Sequence, residues 1–213
     1  MTSKSDLLQY WSDRFAFSKR ELAAFTAVHR EDFIPSSAQS MAYEDIPLPT
    51  LRGKTVSQPT TVMIMTHALD VKKGMKVFEV GTGSGYQSAI LAHLVGASGK
   101  VVTTEIIPEL VQFARLNIMR AGYENIVVLE EDGPRGHAKE APFDRIILTA
   151  AAKEFPPELV KQLKLKGIIL GPLGTEEEQQ MVRGTKNKQG GLDIEFLGSF
   201  LFSPLAGKHG FVY

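Results

Sequence analysis

Short apolar segments alternate with helix-like segments over residues 77–170, and this alternation restricts the possible folds more than any other feature of the chain. The predicted strands cover residues 77–80, 101–104, 126–129, 145–149 and 167–170, and the predicted helices cover 84–95, 108–121 and 157–165. Strands connected through helices pair in parallel, with helices on both faces of the sheet. Residues 179–185 and 192–202, separated by Asn-Lys-Gln-Gly-Gly, predict an antiparallel C-terminal hairpin. The sequence therefore predicts an α/β fold with a mostly parallel central sheet.

The N-terminal third has a different character. Apolar residues recur at helical spacing between residues 6 and 29, and a further helix is predicted over 57–69. Residues 33–59 contain four prolines, yet they carry enough apolar side chains to pack against the rest of the protein. We predict a single structural unit in which residues 1–70 form N-terminal helices and a cleft loop, packed on a core of residues 71–213.

Charge and cysteine content exclude several classes of function. The 24 Lys and Arg residues balance 24 Asp and Glu residues, so no broad positive charge attracts nucleic acid or anionic lipid. The chain has no cysteine, which excludes disulfides, thiolate metal sites and a cysteine nucleophile. None of the five histidines forms a pair with metal-ligand spacing, and no metal site is predicted. Without a signal-peptide pattern or an apolar stretch of membrane-spanning length, the expected location is the cytoplasm.

A glycine-rich loop follows the first predicted strand of the core and points to a nucleotide-like cofactor. The loop consists of Gly81, Thr82, Gly83, Ser84 and Gly85, and it precedes a predicted helix whose first N–H groups are free to bind a ligand. A dinucleotide-binding loop needs a further glycine where this chain has a tyrosine, and the carboxylate of Glu79 would repel a pyrophosphate. Glu79 suits a ligand with an ammonium group, such as the methionine part of S-adenosylmethionine. The alternative is a simple helix-start loop with Glu79 solvated or in a salt bridge.

Acidic residues also follow the next two predicted strands. Glu105 can accept hydrogen bonds from both ribose hydroxyls of an adenosine, and Asp132, followed by Gly133, can accept from an adenine amino group. The alternatives are a surface glutamate and an ordinary Asp-Gly-Pro turn. Because open α/β sheets bind ligands at the carboxyl ends of their strands, the joint spacing favours the cofactor site.

Several sequence blocks resemble the protein-L-isoaspartate O-methyltransferases, whose fold is the Rossmann-like fold of S-adenosylmethionine-dependent methyltransferases. The blocks are Arg-Glu-Asp-Phe-Ile-Pro at 30–35, Tyr-Glu-Asp-Ile-Pro-Leu-Pro at 43–49, Thr-Val-Ser-Gln-Pro at 55–59, the glycine loop with its flanks at 79–86, Leu-Thr-Ala-Ala at 148–151 and Phe-Ser-Pro-Leu-Ala-Gly at 202–207. The resemblance extends from about residue 20 to 210. The chain departs from the family pattern at Glu131, where Gly is common, and in the residues 134–137 that follow.

The resemblance implies a reaction and a set of site residues. The family transfers the methyl group of S-adenosylmethionine to the free carboxylate of L-isoaspartyl residues in aged proteins, which starts their repair, and S-adenosylhomocysteine is the product. Ser57 matches the assigned active-site serine, and Val56, Gln58 and Thr149 are the expected substrate contacts. The residues alone would make Ser57 a helix N-cap and Thr149 an ordinary strand residue. The partners implied are isoaspartyl peptides and proteins, with no nucleic acid or membrane, and the expected state is a monomer.

Three other functions are compatible with parts of the pattern. A methyltransferase of RNA or of a small molecule would share the cofactor loop, although the fourth strand lacks the Asn/Asp-Pro-Pro-aromatic sequence typical of amine methylation. A nicotinamide-dependent dehydrogenase is disfavoured by Tyr86 and Glu79. A non-catalytic S-adenosylmethionine-binding module would bind the cofactor without turnover.

Overall fold

A computed structural model describes residues 3–206 and 209–211 of the chain. Gly207, the last residue of the Phe-Ser-Pro-Leu-Ala-Gly block, lies outside the described residues, as do the first two residues of the N-terminal segment. Six α-helices are described, α1 Lys4–Arg14, α2 Lys19–Ala27, α3 Pro59–Leu69, α4 Tyr86–Val95, α5 Pro108–Arg120 and α6 Pro157–Gln162. Nine strands are described, β1 Leu48–Pro49, β2 Thr55–Val56, β3 Lys76–Val80, β4 Lys100–Glu105, β5 Ile126–Glu130, β6 Phe143–Leu148, β7 Leu163–Gly174, β8 Gln179–Lys186 and β9 Leu192–Phe200.

The central sheet has seven strands in the order β5-β4-β3-β6-β7-β8-β9. Strands β3 to β7 are parallel, whereas β8 and β9 are antiparallel to their neighbours. This confirms the α/β fold with a mostly parallel sheet and a C-terminal hairpin. Among the described residues, no helix has the length and apolar character needed to cross a membrane.

Side chains of the central strands alternate between two apolar clusters, one on each face of the sheet. On β3, Val77 belongs to the cluster that includes residues of α3 and α4, whereas Phe78 belongs to the cluster that includes Leu159 of α6. The same alternation places Glu79 on the α4 face, with the carboxylate inside the protein. Both faces of the sheet are therefore covered, as parallel sheets require.

The N-terminal helices pack on α3 through a small third cluster. Leu7 and Trp11 of α1 and Phe25 of α2 form one apolar cluster with Met63 of α3, and all four side chains are fully buried. The indole Nε1 of Trp11 also donates to Thr60 Oγ1 at 2.8 Å, which satisfies its single donor. α1 therefore fixes the start of α3 through both apolar and polar contacts.

Residues 30–58 are folded against the core, as their apolar content predicts. They form 3₁₀ turns at Arg30–Phe33, Ser36–Met41 and Leu51–Gly53, together with the two-stranded sheet of β1 and β2. Phe33 and Leu48 are almost completely buried. The 3₁₀ turn Leu51–Gly53 forms the tip of the β1–β2 hairpin.

The helix predicted over 157–165 is wrong at its C-terminal end. It stops at Gln162, and Leu163 is the first residue of β7. Leu163 pairs with Phe143 of β6 and its side chain is buried, so sheet pairing and burial outweigh continuation of the helix.

Candidate active site

A cavity of about 650 Å³ opens at the carboxyl ends of the parallel strands, between the sheet and the N-terminal segment. It brings together most of the predicted site residues, namely Val56, Ser57, Gln58, Gly81, Thr82, Gly83, Ser84, Glu105, Asp132, Gly133 and Thr149. Its wall also includes Tyr86 and the C-terminal segment 199–206. Two predicted cofactor residues, Glu79 and Gly85, are not part of the wall.

The glycine loop is held by hydrogen bonds to the neighbouring strand. The N–H groups of Gly81 and Thr82 both donate to the carbonyl of Thr104, at 2.9 and 3.0 Å. The N–H of Gly83 donates to Glu105 Oε2 at 3.0 Å. Three main-chain N–H groups of the loop are therefore used inside the protein and are not free for a ligand. A loop of this kind is poorly suited to a pyrophosphate, which agrees with the choice of a cationic cofactor over a dinucleotide.

Two glycines of the site allow backbone segments to approach closely. A Cβ atom at Gly81 would lie 2.5 Å from Thr149 Oγ1, and one at Gly133 would lie 2.5 Å from Val80 Cγ1. Gly85 is the N-cap of α4 with φ of 88°, so its role is to turn the chain into the helix.

Glu105 lies at the end of β4 with its carboxylate at the edge of the cavity. Oε1 accepts hydrogen bonds from the N–H groups of Ile106 and Ile107, at 2.9 and 3.1 Å, while Oε2 accepts from Gly83. These bonds fix the orientation of the carboxylate, and Oε2, which accepts only one of them, retains acceptor capacity for a ligand hydroxyl.

Glu79 is completely buried on the α4 face of the sheet. Ser88 of α4 donates a hydrogen bond to Oε2, but Oε1 has no partner among the described residues. Burial is the main reason that the pKa of Glu79 is raised to about 7; the nearby charge of Glu105 contributes in the same direction, and hydrogen bonds from Ser88 and Thr103 oppose the shift. An unmatched acceptor therefore lies immediately before the glycine loop, on the α4 face of the sheet and outside the cavity wall.

Carboxylates surround the other end of the cavity. Asp132 accepts a hydrogen bond from Arg135 Nε at 3.1 Å, and Glu131 lies 2.9 Å from Nδ1 of His137. Both carboxylates belong to residues of the cavity wall, whereas His137 does not. The unusual residues at 131 and 137 thus pair with each other, and Asp132 stays at the cavity edge.

Thr149 closes the end of β6 against the glycine loop. Its Oγ1 lies 2.6 Å from the carbonyl of Gly81 and 3.1 Å from that of Val80. Because a hydroxyl has one proton, a ligand at Thr149 would find only acceptor capacity.

Ser57 lies between β2 and α3, with its side chain partly exposed to the cavity. The N-cap of α3 is Gln58, which makes no side-chain capping bond, so the interpretation of Ser57 as the N-cap is wrong. Neither the hydroxyl of Ser57 nor its main-chain N–H forms a hydrogen bond within residues 3–206 and 209–211. A polar side chain with free donor and acceptor capacity therefore faces the cavity.

Sequence reasoning missed the apolar part of the wall. Ile106, Ile107 and Leu110 follow Glu105, and Leu201 follows β9. Ile106 and Leu201 are 48% and 73% exposed, so they form an apolar rim. The position of Ile106 directly after Glu105, the glutamate predicted to contact the ribose, is a signal that could have identified it.

An ion pair between Arg52 and Glu109 crosses from the β1–β2 hairpin to α5 at this rim. Arg52 has φ of 57°, in the left-handed region that few non-glycine residues adopt. Within the described ranges, no group of His, Asp or Glu side chains is arranged to hold a metal ion.

Comparison with known proteins shows the family to which the chain is similar. A sequence model described as "Protein-L-isoaspartate(D-aspartate) O-methyltransferase (PCMT)" matches residues 2–210. The protein-L-isoaspartate O-methyltransferase of Methanococcoides burtonii is 45% identical over 193 residues, covering 91% of this chain and 95% of the relative. The enzyme of that name from Methanopyrus kandleri is 44% identical, covering 91% and 86% of the two chains.

Two solved structures have the same fold over nearly all of this chain. One, a protein-L-isoaspartate O-methyltransferase, is 28% identical with a TM-score of 0.88, covering 97% of this chain and 66% of its own. The other, a Plasmodium falciparum protein assigned to the same activity, contains S-adenosyl-L-homocysteine. It is 24% identical with a TM-score of 0.83, covering 97% of this chain and 99% of its own.

Proposed function

The chain belongs to the protein-L-isoaspartate(D-aspartate) O-methyltransferase family and has the family's S-adenosylmethionine-dependent activity, and we propose that the cavity at the carboxyl ends of the strands is its active site. The observation that carries the proposal is the lining of this one cavity. Ser57 of the N-terminal segment and the glycine loop with Glu105 belong to the same wall. Acceptor and methyl donor can therefore meet in one space.

The proposed cofactor residues lie around the sheet side of the cavity. Gly81 to Ser84 hold the amino-acid part of the cofactor, with the buried carboxylate of Glu79 supplying negative charge behind them. Glu105 accepts from the ribose, while Asp132 and Gly133 flank the adenine. When bound, S-adenosylmethionine supplies a methyl group on a positively charged sulfonium.

Acid–base catalysis is not required of the protein, because a carboxylate is already ionised near pH 7. The task left to the chain is orientation, which contributes up to about 7–11 kcal/mol in well-oriented reactions. The hydroxyl of Ser57 donates to one acceptor oxygen and fixes the direction of the other. Val56 and Gln58 contribute main-chain contacts to the substrate, and Thr149 closes the cavity beside them.

The proposed partners are isoaspartyl peptides and proteins. In the methyl ester of such a residue, a neighbouring main-chain nitrogen attacks the ester carbonyl and methanol leaves, which forms a succinimide; addition of water then opens the succinimide partly to normal aspartate. The balanced net charge supports a protein that acts without nucleic acid or membrane. We place it in the cytoplasm as a monomer. Residues 1–70 form the substrate side of its single structural unit.

The decisive test uses methyl-labelled S-adenosylmethionine and two peptides that differ only in an L-isoaspartyl or L-aspartyl linkage. Label is expected only in the isoaspartyl peptide, and mild base should release it as methanol. Binding of the cofactor without label in either peptide would refute the proposed acceptor and favour another substrate or a non-catalytic module.

A further inference from the structure

Arg30 is a fully buried cation beside the proposed acceptor site. Its Nη1 donates to the carbonyl of Ser57 at 2.6 Å, and its Nη2 lies 3.5 Å from the carbonyl oxygens of Ile46 and Val56. The guanidinium also lies over the ring of Tyr86, 5.3 Å from the centroid. Arg30 thus contacts two consecutive peptide groups, the one that joins Val56 to Ser57 and the one that joins Ser57 to Gln58.

The charge of Arg30 has no direct counter-ion. Within residues 3–206 and 209–211 it forms no ion pair, and its Nε has no hydrogen-bond partner. Asp45 is a carboxylate whose charge interacts with that of Arg30, but it accepts its hydrogen bonds from the N–H and Oγ1 of Thr60, at 2.9 and 2.7 Å. Burial lowers the pKa of Arg30, and the negative charge of Asp45 is among the interactions that oppose this; an arginine nevertheless stays protonated. A buried charge without a counter-ion is unfavourable, so its presence needs a reason.

Two main-chain N–H groups near this charge, those of Ser57 and Gln58, can donate hydrogen bonds to an anion. Hydrogen bonds to the carbonyls of Val56 and Ser57 polarise the adjoining peptide groups, which strengthens the N–H groups of Ser57 and Gln58 as donors. Neither of these N–H groups forms a main-chain hydrogen bond among the described residues. The N-terminus of α3, with the positive end of its dipole, begins at the next residue.

We propose that Arg30 is a positioning residue for the acceptor: it holds the main chain at Ser57 and supplies the positive charge that makes the site selective for a carboxylate over a neutral group. This inference rests on the proposed function. It goes beyond the role of Ser57, because it assigns the preference for an anionic acceptor to a side chain that is not part of the cavity wall.

The test compares wild type with Arg30→Lys and Arg30→Met, using an isoaspartyl peptide as substrate. A matching peptide with an L-isoasparaginyl amide, which cannot be methylated, serves as a competitive inhibitor.

Arg30→Lys keeps the charge but cannot make the same set of bonds, so KM for the peptide should rise about tenfold, as for loss of one charge-assisted hydrogen bond. In Arg30→Met the preference for carboxylate over amide, measured as Ki over KM, should fall about tenfold or more. The Kd of S-adenosylhomocysteine should stay within about twofold of wild type in both variants, which also shows that they are folded.

Arg145 provides a matched control. It is another buried arginine that donates to main-chain carbonyls, but its partners Leu69 and Asp70 are not residues of the cavity wall, whereas those of Arg30 include Val56 and Ser57. Arg145→Lys should lower stability and leave KM and the carboxylate preference unchanged. If Arg30→Met does not bind S-adenosylhomocysteine, the KM for the peptide measured with Arg30→Lys decides whether the proposal stands.

Each outcome has a separate meaning. Methyl transfer by wild type, with unchanged KM and carboxylate preference in the folded Arg30 variants, would overturn the role of Arg30 and leave the proposed function intact. If the KM for the peptide and the Kd of S-adenosylhomocysteine rise in parallel, the role of Arg30 is merely structural, and the proposal is overturned in that case too. No methyl transfer by wild type would refute the proposed function itself, and this inference with it.

Discussion

Glu105 Oε2 accepts a hydrogen bond from the main-chain N–H of Gly83 at 3.0 Å, which joins the end of β4 directly to the glycine loop after β3. The other carboxylate oxygen holds the N–H groups of Ile106 and Ile107. A single side chain therefore sets the positions of two backbone segments that line the cavity. A change at Glu105 should disturb the loop as well as any ribose contact.

Replacement of Glu105 by Gln should weaken cofactor binding strongly. The amide NH₂ group cannot accept a hydrogen bond, so one of the two sets of backbone contacts must be lost. Since a hydrogen bond to a charged group contributes about 1.5–3 kcal/mol, we expect the Kd of S-adenosylhomocysteine to rise about 10- to 100-fold by calorimetry. Glu130→Gln, at the exposed end of β5 and in register with Glu105, is the control and should bind normally. Equal affinities in all three proteins would contradict this role.

Gly83→Ala should affect the cofactor more than the fold. Gly83 has φ of 55°, and a Cβ atom there would meet no protein atom within 4 Å. The strain of a left-handed alanine is about 1–2 kcal/mol, so the protein should still fold. Gly122→Ala, with φ of 75° and equally open surroundings, carries the same strain away from the cavity. Thermal unfolding should shift similarly in both variants, and only Gly83→Ala should lose cofactor affinity; a matching loss in both would refute the assignment of the loop.

Ser57→Ala should slow methyl transfer without loss of stability. Gln58 is the N-cap of α3, so removal of the Ser57 hydroxyl removes no helix cap. We expect kcat to fall about tenfold, as for loss of one oriented hydrogen bond of about 1.5 kcal/mol, with unchanged affinity for S-adenosylhomocysteine. Steady-state kinetics and denaturant unfolding on the same preparation separate the two effects. A stability loss that accounts for the whole rate loss would restore the capping interpretation.

The order of strands and helices could be predicted because parallel strands buried on both faces are continuous apolar runs. The strand candidate at 77–80 and the helix stop at Gly96 both agree with the structure. The prediction failed at Leu163, where pairing with Phe143 of a distant segment turns a helix-like pattern into a strand. Contacts of that kind are set by tertiary structure, and local periodicity contains no information about them.

The site was predictable where its residues lie at strand ends, and less so elsewhere. Glu105 and Asp132 follow strands, so the topology brings them to one edge of the sheet. Arg30 carried no such signal, because its position beside Ser57 depends on how residues 30–58 fold back on the core. The orientation of Glu79 was equally hidden, since the alternation of β3 turns it towards α4 instead of the cavity wall.

Loss of the Arg52–Glu109 ion pair should speed cofactor release. The pair links the β1–β2 hairpin to α5 across the rim of the cavity, and both side chains are largely exposed. We expect Arg52→Ala and Glu109→Ala each to raise the dissociation rate of S-adenosylhomocysteine in stopped-flow measurements, and the double variant to add little. High salt should produce part of the same effect in wild type. The remote exposed pair Lys161–Glu158 on α6 gives the control, and unchanged rates in all the Arg52 and Glu109 variants would show that the pair does not restrain the hairpin.

The buried carboxyl of Glu79 should make folding stability depend on pH. Burial raises its pKa to about 7 in the folded protein, against an ordinary value of 4.5, so the folded state binds the extra proton between these values. Stability from this group is therefore fully present below pH 4.5 and is lost as the pH rises through 7, by about 3 kcal/mol in total. Glu79→Gln lacks the ionisation, so its free energy of unfolding, measured by urea titration, should gain on wild type between pH 5 and about 8. Parallel pH profiles for the two proteins would show that Glu79 ionises normally, and Glu130→Gln, an exposed carboxyl on the same sheet, controls for the loss of one negative charge.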